Sequence, residues 1–262
     1  MSRAIITLTT DFGVGSPYVA QMKGVILSLN AEANIVDLAH TIPPQDIRQG
    51  ARVLHEATGT FPAETIHLCV VDPGVGTERN IIYVKTRQQH FVCPDNGVIS
   101  LLVKENEPEQ LIILSNPEYW LTDVSATFHG RDIMAPAAAY LSLGLDPARL
   151  GEPAKDVTKI TWAEVHVHDR EIHGIIVSFD TFGNLITDIS GGMLEEARSS
   201  SSLQIECGAH VVREMVRAYG RGVTGSLVAL VGSSGLLELA VVNGNAAQMV
   251  GVEVGDEVTV TW

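Results

Sequence analysis

One change in hydrophobic pattern constrains the fold of this 262-residue chain more than any other feature. Up to about residue 150, short β-type runs alternate with segments of helical periodicity. From about Thr161 onward, only short β-type runs broken by Gly, Ser and Asn remain. Alternating strands and helices predict a mainly parallel sheet flanked by helices, and closely spaced short strands predict an antiparallel barrel or sandwich. The sequence therefore predicts an α/β N-terminal domain followed by a small, barrel-like β-rich domain.

The same periodicity predicts the individual elements. Strands of the first domain are expected at residues 5–9, 35–38, 65–71, 81–85 and 111–114. Its helices are expected at residues 17–29, 46–58 and 132–143. Strands of the second domain are expected at residues 174–179, 184–189, 225–230, 236–242 and 257–262.

Local signals mark one helix start and the domain boundary. Ser16 precedes Pro17 and is expected to cap the first helix, with proline at the first helical position. The segment 151–156 is polar and carries Gly and Pro, so we expect it to be the linker. The predicted domains are therefore residues 1–155 and 156–262.

Composition narrows the class of partner. The chain has 17 Lys and Arg against 31 Asp and Glu, and nucleic-acid binding depends on basic side chains that neutralise phosphates. No nucleic-acid partner is expected, and a small uncharged or cationic ligand fits better. The three widely spaced cysteines, the absence of a signal-peptide pattern and the lack of a long apolar run predict a cytoplasmic protein without disulfides or membrane helices.

The motif TDFG at residues 10–13 places Asp11 at the predicted end of the first strand. Ligands of α/β sheets bind at this edge, and a carboxylate there can accept both hydroxyl groups of a ribose. It is equally open that Asp11 only caps the following turn. The motif lacks the glycine loop and lysine strand of a kinase, and residues 13–18 lack the third glycine of a dinucleotide-binding fingerprint.

Residues 70–79 combine an apolar strand, a glycine-rich loop and two opposite charges. The strand delivers Asp72 to its end, the glycines allow a close approach of backbone to a ligand, and Arg79 precedes the next strand. Two adjacent strands can bring the guanidinium back to the carboxylate, which a nearby positive charge keeps ionised. The alternative is a hairpin-like turn with a surface ion pair of little energetic value.

His129 stands beside Gly130, just before a predicted helix. This position predicts an exposed imidazole, although a lone histidine is more often structural than catalytic. Arg131 and Asp132 are expected to make capping contacts in the first turn of the helix.

The second domain offers polar turns and a group of histidines. Asp180 and Asn184 can bind the ammonium and carboxylate groups of an amino acid, or serve only as turn residues. His166 and His168 share a strand face near His173, but no Cys or carboxylate cluster surrounds them at ligand spacing. A solvated strand or turn is therefore favoured over a metal site. The sequence also contains neither a nucleophile elbow nor a CxxC pair.

The order of these motifs resembles the S-adenosyl-L-methionine (SAM) hydrolase family, also called the SAM hydroxide adenosyltransferases, which is related to the SAM-dependent fluorinase and chlorinase. The resemblance rests on residues 10–13, 72–76 with Arg79, 94–97, 128–132, 182–184 and 233–235. It implies hydrolysis of SAM to adenosine and methionine without a cofactor or metal. It also implies a homotrimer whose active sites lie between the N-terminal domain of one subunit and the C-terminal barrel of the next.

The resemblance also assigns roles to residues. Asp72, Arg79 and His129 match the family's water-handling triad, and Asp11 matches its ribose ligand. Further candidate substrate contacts in the first domain are Phe12, Ser16, Asp95, Asn96 and Phe128. Those expected to hold the methionine portion are Asp180, Phe182 and Asn184. Those expected around the adenine are Ser233, Ser234, Glu238 and Asn243.

Three positions bear on the nucleophile. As we align them, the halogenases carry an aromatic residue at Asp72, a hydroxyl residue at Val75 and a serine at Gly130. The side-chain donors of a halide site are therefore missing here, and water is the expected nucleophile. The alternatives are a SAM-dependent halogenase, a non-catalytic SAM or adenosine sensor, and a metal-dependent hydrolase that uses the region of His166 and His168.

Overall fold

The computed structural model describes residues 4–262, which divide after Ile160 into two units. Each unit has its own sheet and its own buried core. None of the helices formed by residues 4–262 is both long and apolar enough to cross a membrane.

The first unit contains a mixed sheet of seven strands. These are β1 (Ile5–Thr10), β2 (Asn34–Ala39), β3 (Ile66–Val70), β4 (Ile81–Thr86), β5 (Gln89–Pro94), β6 (Gln110–Ile113) and β7 (Glu152–Pro153). Their order is β2-β1-β3-β5-β4-β6-β7, in which β2, β1, β3 and β5 pair in parallel and β4 is antiparallel to β5 and β6. The prediction of a mainly parallel α/β sheet is confirmed.

Helices cover both faces of this sheet. They are α1 (Tyr18–Leu29), α2 (Ile47–Thr58), α3 (Ser100–Glu105) and α4 (Ala135–Ser142), and a π-helical turn at Gly130–Met134 leads directly into α4. Successive residues of a strand point to opposite faces. Leu68 and Val70 accordingly pack in the core that contains α1 and α4, whereas Cys69 packs in the core that contains Leu54 of α2.

The structure differs from the prediction for this unit at three points, which are a missed strand, the linker and a helix cap. β5 was not predicted, because the turn that joins it to β4 is made by Arg87 and Gln88 at positive φ (53° and 59°), without the Gly or Asn that normally signals such a turn. The segment predicted as the linker instead contains β7, which pairs with β6, and Pro153 is tolerated there because β7 is an edge strand. Ser16 makes no cap: α1 begins at Tyr18 with Pro17 at the N-cap position and no side-chain cap bond.

The second unit is a nearly closed antiparallel barrel. Its strands are β8 (His166–His168), β9 (Glu171–Phe179), β10 (Leu185–Ser190), β11 (Gln204–Cys207), β12 (His210–Val212), β13 (Leu227–Val231), β14 (Leu236–Val241) and β15 (Glu257–Thr261). They follow the order β12-β11-β15-β9-β10-β14-β13, with β8 paired to β9. A bridge from Met215 to Ala229 links the segment after β12 to β13. The barrel-like domain is confirmed, and β8 agrees with the strand considered for His166 and His168. The short strands β11 and β12 and the short helix α5 (Ala246–Val250) were not predicted.

His67, on β3, is a buried polar residue in the first unit. Its side chain is shielded from solvent, its ring stacks on Phe91 with centroids 4.9 Å apart, and its Nδ1 lies 2.7 Å from Oγ1 of Thr7. Burial lowers the pKa of His67 to about 3. The folded protein therefore holds a neutral imidazole at neutral pH.

This buried imidazole predicts a loss of stability in mild acid. An unfolded chain takes up the proton near pH 6.5, whereas the folded protein does so only near pH 3. The free energy of unfolding therefore falls as the pH decreases through this window, by about 1.4 kcal/mol per pH unit from this group. We expect His67→Gln to flatten the dependence of the urea midpoint on pH between about pH 6 and pH 4. His55→Gln, at a partly exposed site, is the control, and an equal slope in wild type and His67→Gln would contradict this prediction.

Candidate active site

The candidate catalytic side chains of the first unit lie in loops near strand ends. Asp72 stands two residues after β3, Arg79 stands two residues before β4, and His129 directly precedes the π-helical turn. β4 runs antiparallel to β5, which is itself parallel to β3, so the start of β4 and the end of β3 lie at the same edge of the sheet. The topology thus brings the end of β3, which leads to Asp72, and the start of β4, which follows Arg79, to one edge of the sheet.

Asp72 and Arg79 form a bidentate ion pair. Nε of Arg79 donates to Oδ1 of Asp72 at 2.9 Å, and Nη2 donates to Oδ2 of the same carboxylate. The Asp72 side chain is 4% exposed and that of Arg79 is 11% exposed, so this is not a surface ion pair. A parallel pair of hydrogen bonds fixes the plane of the carboxylate as well as its charge.

The predicted proximity of the two charges is observed, but its predicted cause is wrong. β3 and β4 are not neighbours, because β5 lies between them in the sheet. The pair instead closes across its own loop, which Thr77 tightens by donating from its backbone N and Oγ1 to the carbonyl of Gly74 at 3.1 and 2.6 Å. The loop between the two charges is therefore the element that positions them.

His129 joins this pair through Arg79. Nη2 of Arg79 lies 3.1 Å from Nδ1 of His129, and because a guanidinium can only donate, Nδ1 must be unprotonated. Burial and the neighbouring Arg79 charge lower the pKa of His129, so the neutral ring carries its proton on Nε2. The imidazole is half-buried rather than exposed as predicted, and no residue among 4–262 bonds its Nε2.

Two glycines allow the loops of Asp72 and His129 to approach each other. A Cβ on Gly76, which has φ +77°, would collide with the carbonyl oxygen of Ala126 in the loop before His129. A Cβ on Gly130 would lie 2.9 Å from Cγ1 of Val70 on β3. Larger residues at either position would push the loops apart.

Asp132 anchors the segment that carries His129. Its side chain is fully buried, accepts bonds from Nε and Nη2 of Arg131 at 2.5 and 3.0 Å, and accepts the backbone N–H of Ser125 at 2.8 Å. The predicted capping contacts in the first helical turn are therefore wrong. The Asp132 carboxylate holds the loop before the helix through its hydrogen bond from Ser125. Arg131 neutralises the charge of this buried carboxylate.

Asp95 and Asn96 are bonded to backbone near the Asp72 loop. Nδ2 of Asn96 donates to the carbonyl of Val71 at 2.8 Å, and Oδ1 of Asp95 accepts from the backbone N of Thr158 at 2.7 Å. The Asn96 contact fixes the backbone just before Asp72. A contact of either side chain with substrate stays a prediction.

Asp11 directly follows β1, at the edge of the sheet where it was predicted. Its Oδ2 accepts the backbone N–H of Gln45 at 2.8 Å, and its Oδ1 receives no hydrogen bond from residues 4–262. Neither Asp72 nor Arg79 nor His129 bonds Asp11. One carboxylate oxygen is thus held in place and the other is available to a ligand.

Three aromatic rings form a cluster beside the loops. Phe12, Tyr18 and Phe128 contact one another edge to face with centroids 5.3–5.6 Å apart, and the Arg131 guanidinium lies 5.0 Å from the Phe128 centroid. These side chains line a cavity of about 370 Å³. The Oγ of Ser16 is buried and has no hydrogen-bond partner among the described residues.

In the second unit, Asp180 and Asn184 form one compact turn. Oδ1 of Asp180 accepts the backbone N–H groups of Phe182 and Asn184 at 2.9 and 2.8 Å, and Oδ2 accepts from Nδ2 of Asn184 at 2.7 Å. Asn184 is buried, whereas Phe182 is 76% exposed. The turn thus presents an exposed aromatic side chain on a hydrogen-bonded support.

Glu238 is a buried carboxylate on β14. It accepts a hydrogen bond from the hydroxyl of Tyr219, and it lies so close to Gly232 that a side chain there would collide with it. The nearby candidates Ser233 and Ser234 are exposed in the turn between β13 and β14. Asn243 is also exposed, and its Nδ2 donates to Oγ1 of Thr224 at 3.3 Å.

His173, in the histidine group of the second unit, contacts two carboxylates. Nδ1 of His173 lies 2.6 Å from Oε1 of Glu257, and Nε2 lies 3.2 Å from Oε1 of Glu171. The hydrogen bond with Glu257 and the two negative charges raise the pKa of His173. Across residues 4–262, no group of three or more His, Cys, Asp or Glu side chains is arranged to hold a metal ion.

Two contributors to these sites were missed from the sequence. Tyr18 completes the aromatic cluster, and Tyr219 binds Glu238. Tyr18 follows Pro17 at a helix start, which is a detectable signal. Tyr219 lies in an irregular segment with no periodicity, so nothing in the sequence separates it from other surface tyrosines.

The chain matches two family models. Residues 6–151 match the SAM hydroxide adenosyltransferase N-terminal domain, and residues 174–259 match the SAM hydroxide adenosyltransferase C-terminal domain. A fluorinase from Nocardia brasiliensis is more distantly similar, with 25% identity over 74% of this chain and 74% of that protein.

Relatives and a solved structure agree with these models over nearly the whole chain. An (R)-S-adenosyl-L-methionine hydrolase from Salinispora tropica is 37% identical over 98% of this chain and 97% of that protein, and one from Thermus thermophilus is 37% identical over 94% and 95%. The crystal structure of an uncharacterized conserved protein from Thermotoga maritima has a TM-score of 0.93 and 35% identity, covering 98% of this chain and 100% of that chain. These matches confirm the resemblance, and the chain belongs to the SAM hydroxide adenosyltransferase family.

Proposed function

We propose that the protein hydrolyses SAM to adenosine and L-methionine. The observation that carries this proposal is the cluster of Asp72, Arg79 and His129, in which a carboxylate, a guanidinium and a neutral imidazole are joined by hydrogen bonds. The names of the relatives, which are (R)-S-adenosyl-L-methionine hydrolases, support the same reaction.

In the proposed reaction, water attacks C5′ of the ribose in line with the sulfonium. A C5′–O bond forms as the C5′–S bond breaks, and the electron pair of the broken bond stays on sulfur. One proton of the water is released, so the products are adenosine, methionine and H⁺. Methionine leaves as a neutral thioether, and its departure therefore requires neither a general acid nor a metal.

Asp72 is the proposed acceptor of the water proton. Its carboxylate is nearly buried and held in a fixed plane by Arg79, so it can be preorganised toward one water molecule. Arg79 keeps that carboxylate aligned through two parallel hydrogen bonds. His129 accepts from Arg79 at Nδ1, which leaves its Nε2–H to donate to the water oxygen and orient the remaining lone pair.

The substrate contacts are proposed from the similarity to the SAM hydroxide adenosyltransferase family. Asp11 holds the ribose diol, with Phe12, Ser16 and Phe128 around the reacting sugar, and Asp95 and Asn96 beside the Asp72 loop. Asp180, Phe182 and Asn184 hold the methionine portion. The adenine is proposed to lie near Ser233, Ser234, Glu238 and Asn243.

Water is favoured over halide as the nucleophile. Val75 has no hydroxyl group, and the tight contact of Gly130 with Val70 leaves no room for a serine side chain unless Val70 moves. Asp72 also adds a negative charge to the proposed site, which would repel a halide ion because like charges repel. A halogenase is therefore the less favoured reading.

We further propose a homotrimer in which each active site combines the N-terminal domain of one subunit with the C-terminal barrel of the next. The candidate catalytic residues belong to the first unit and the candidate methionine contacts to the second, which fits a site completed by assembly. Light scattering coupled to gel filtration measures this state. A monomeric mass for a fully active sample would contradict the trimer.

A cytoplasmic location is also proposed. Cys69, Cys93 and Cys207 are all free and buried, as expected for a protein of a reducing compartment. Fractionation of cells that express the protein tests this location.

The test of the proposed function is chromatography and mass spectrometry of SAM incubated with the pure protein. We expect adenosine and methionine in equal amounts, unchanged when chloride is added and unchanged in EDTA. Both sulfonium epimers should be supplied separately, because the relatives are named for the (R) form. The ratio of the two rates then defines the stereochemical preference.

Each alternative predicts a different product. A halogenase yields 5′-chloro-5′-deoxyadenosine in chloride, a sensor returns intact SAM, and a metal-dependent hydrolase loses activity in EDTA. Any of these three results would overturn the proposed function.

A further inference from the structure

The loop that follows β2 holds the Asp11 loop at two points. The carbonyl of His40 accepts the backbone N–H of Gly13 at 2.7 Å, and the backbone N–H of Gln45 binds Oδ2 of Asp11 at 2.8 Å. Gly13 adopts φ +77°, so the chain turns sharply between these two contacts. The orientation of the Asp11 carboxylate therefore depends on residues 40–45.

The His40 side chain adds a third contact to the same loop. Its Nδ1 lies 3.0 Å from Oγ1 of Thr10, the last residue of β1, and that Oγ1 in turn accepts the backbone N–H of Phe12 at 3.3 Å. Thr10 is fully buried. The hydroxyl has one proton to give, so donation to Nδ1 satisfies both partners and places the imidazole proton on Nε2.

The Nε2 side of the His40 ring faces the carboxylate of Asp37. Nε2 of His40 lies 3.0 Å from Oδ1 of Asp37, at an angle that is poor for a hydrogen bond, and Nζ of Lys23 donates to Oδ2 of Asp37 at 2.6 Å. Burial raises the pKa of Asp37, but its contacts with Lys23 and His40 outweigh this effect and lower that pKa. An ionised carboxylate at this point favours the proton on Nε2, in agreement with the contact to Thr10.

We propose that His40 is a positioning residue that fixes the Asp11 carboxylate for binding of the ribose diol. The inference rests on the proposed function, which makes Asp11 the diol ligand. Oδ2 of Asp11 is tied to the loop after β2 and Oδ1 is free of partners among residues 4–262, so rotation of this loop would misdirect both oxygens. The His40 side chain touches neither the sugar nor the reacting atoms in this proposal, and it acts through Thr10, whose Oγ1 also accepts the backbone N–H of Phe12.

The expected kinetic effect is on KM. In this proposal, Asp11 binds the ribose diol equally strongly in the bound substrate and in the transition state. Loss of such uniform binding raises KM with little change in kcat. We expect His40→Ala to raise KM for SAM on the order of tenfold, with kcat changed by less than about threefold.

Two conservative variants distinguish the contact of His40 Nδ1 with Thr10 from the contact of Nε2 with Asp37. In His40→Asn, the side-chain oxygen takes the place of Nδ1 and can still accept from Thr10, whereas in His40→Gln the amide lies closer to the position of Nε2. We expect Asn to restore most of the wild-type KM and Gln to resemble Ala. The matched control is His55→Asn, because His55 pairs with Glu105 at the surface of the same unit.

A binding experiment tests whether the effect runs through the diol. We expect His40→Ala to weaken adenosine binding by calorimetry while leaving 2′,3′-dideoxyadenosine binding unchanged. The proposal is overturned if KM is unchanged, if kcat falls while KM does not rise, if Gln rescues better than Asn, or if both nucleosides weaken equally. Failure of the wild-type protein to convert SAM would instead overturn the proposed function. In that case the comparison of adenosine with 2′,3′-dideoxyadenosine would still test the role of His40.

Discussion

Asp72→Asn is expected to lower kcat for SAM hydrolysis by about 100- to 10,000-fold, the usual cost of losing a general base. The variant keeps the size of the side chain and part of the hydrogen bonding with Arg79, so the fold should persist. KM should change little, because the proposed role of Asp72 is confined to the water proton. Steady-state kinetics by chromatography of adenosine measures both constants.

A neighbouring carboxylate supplies the control for this experiment. Glu78 lies in the same loop but is exposed, so Glu78→Gln makes the same chemical change without touching the cluster. We expect its kcat to stay close to wild type. Undiminished adenosine release by Asp72→Asn would remove Asp72 from the mechanism.

Arg79→Met is expected to reduce both stability and activity. Removing the guanidinium leaves the Asp72 carboxylate, which is 4% exposed, without its partner. Breaking a buried pair in this way typically costs about 3–5 kcal/mol of unfolding free energy. Turnover should fall as well, because the carboxylate and His129 both lose the group that orients them.

The double variant Asp72→Asn/Arg79→Met separates the two effects. It no longer buries an unpaired charge, so much of the stability should return while activity stays low. Arg149→Met is the control, since Arg149 and Glu118 form an exposed pair whose loss should cost less than about 1 kcal/mol. An unfolding midpoint for Arg79→Met equal to wild type would contradict the structural role of the pair.

Periodicity carried most of the fold prediction. β3 is a nearly continuous apolar run whose residues pack into cores on both faces of the sheet, and such a run is visible in the sequence. The turn at Arg87 and Gln88 is not, because its positive φ angles occur at residues with no preference for them. Because that turn cannot be predicted, the hairpin of β4 and β5 cannot be predicted either. The pairing of β3 with β5 is therefore missed as well.

The candidate site was predictable only in part. The motif order brought Asp72, Arg79 and His129 together, and the structure joins them by hydrogen bonds. The tautomer of His129 and the role of Asp132 depend on the direction of donors in space, which sequence spacing does not contain. The contact of His40 with Thr10 spans 30 residues and two strands, and no local pattern reveals it.

The origin of the 5′ oxygen of adenosine tests the central claim most directly. SAM is incubated with the protein in water enriched in ¹⁸O, and the products are analysed by mass spectrometry. Attack of water on C5′ predicts one ¹⁸O atom in the 5′-hydroxyl of adenosine and none in methionine. Unlabelled adenosine, or label in methionine, would contradict the proposal that Asp72, Arg79 and His129 direct water onto the ribose carbon.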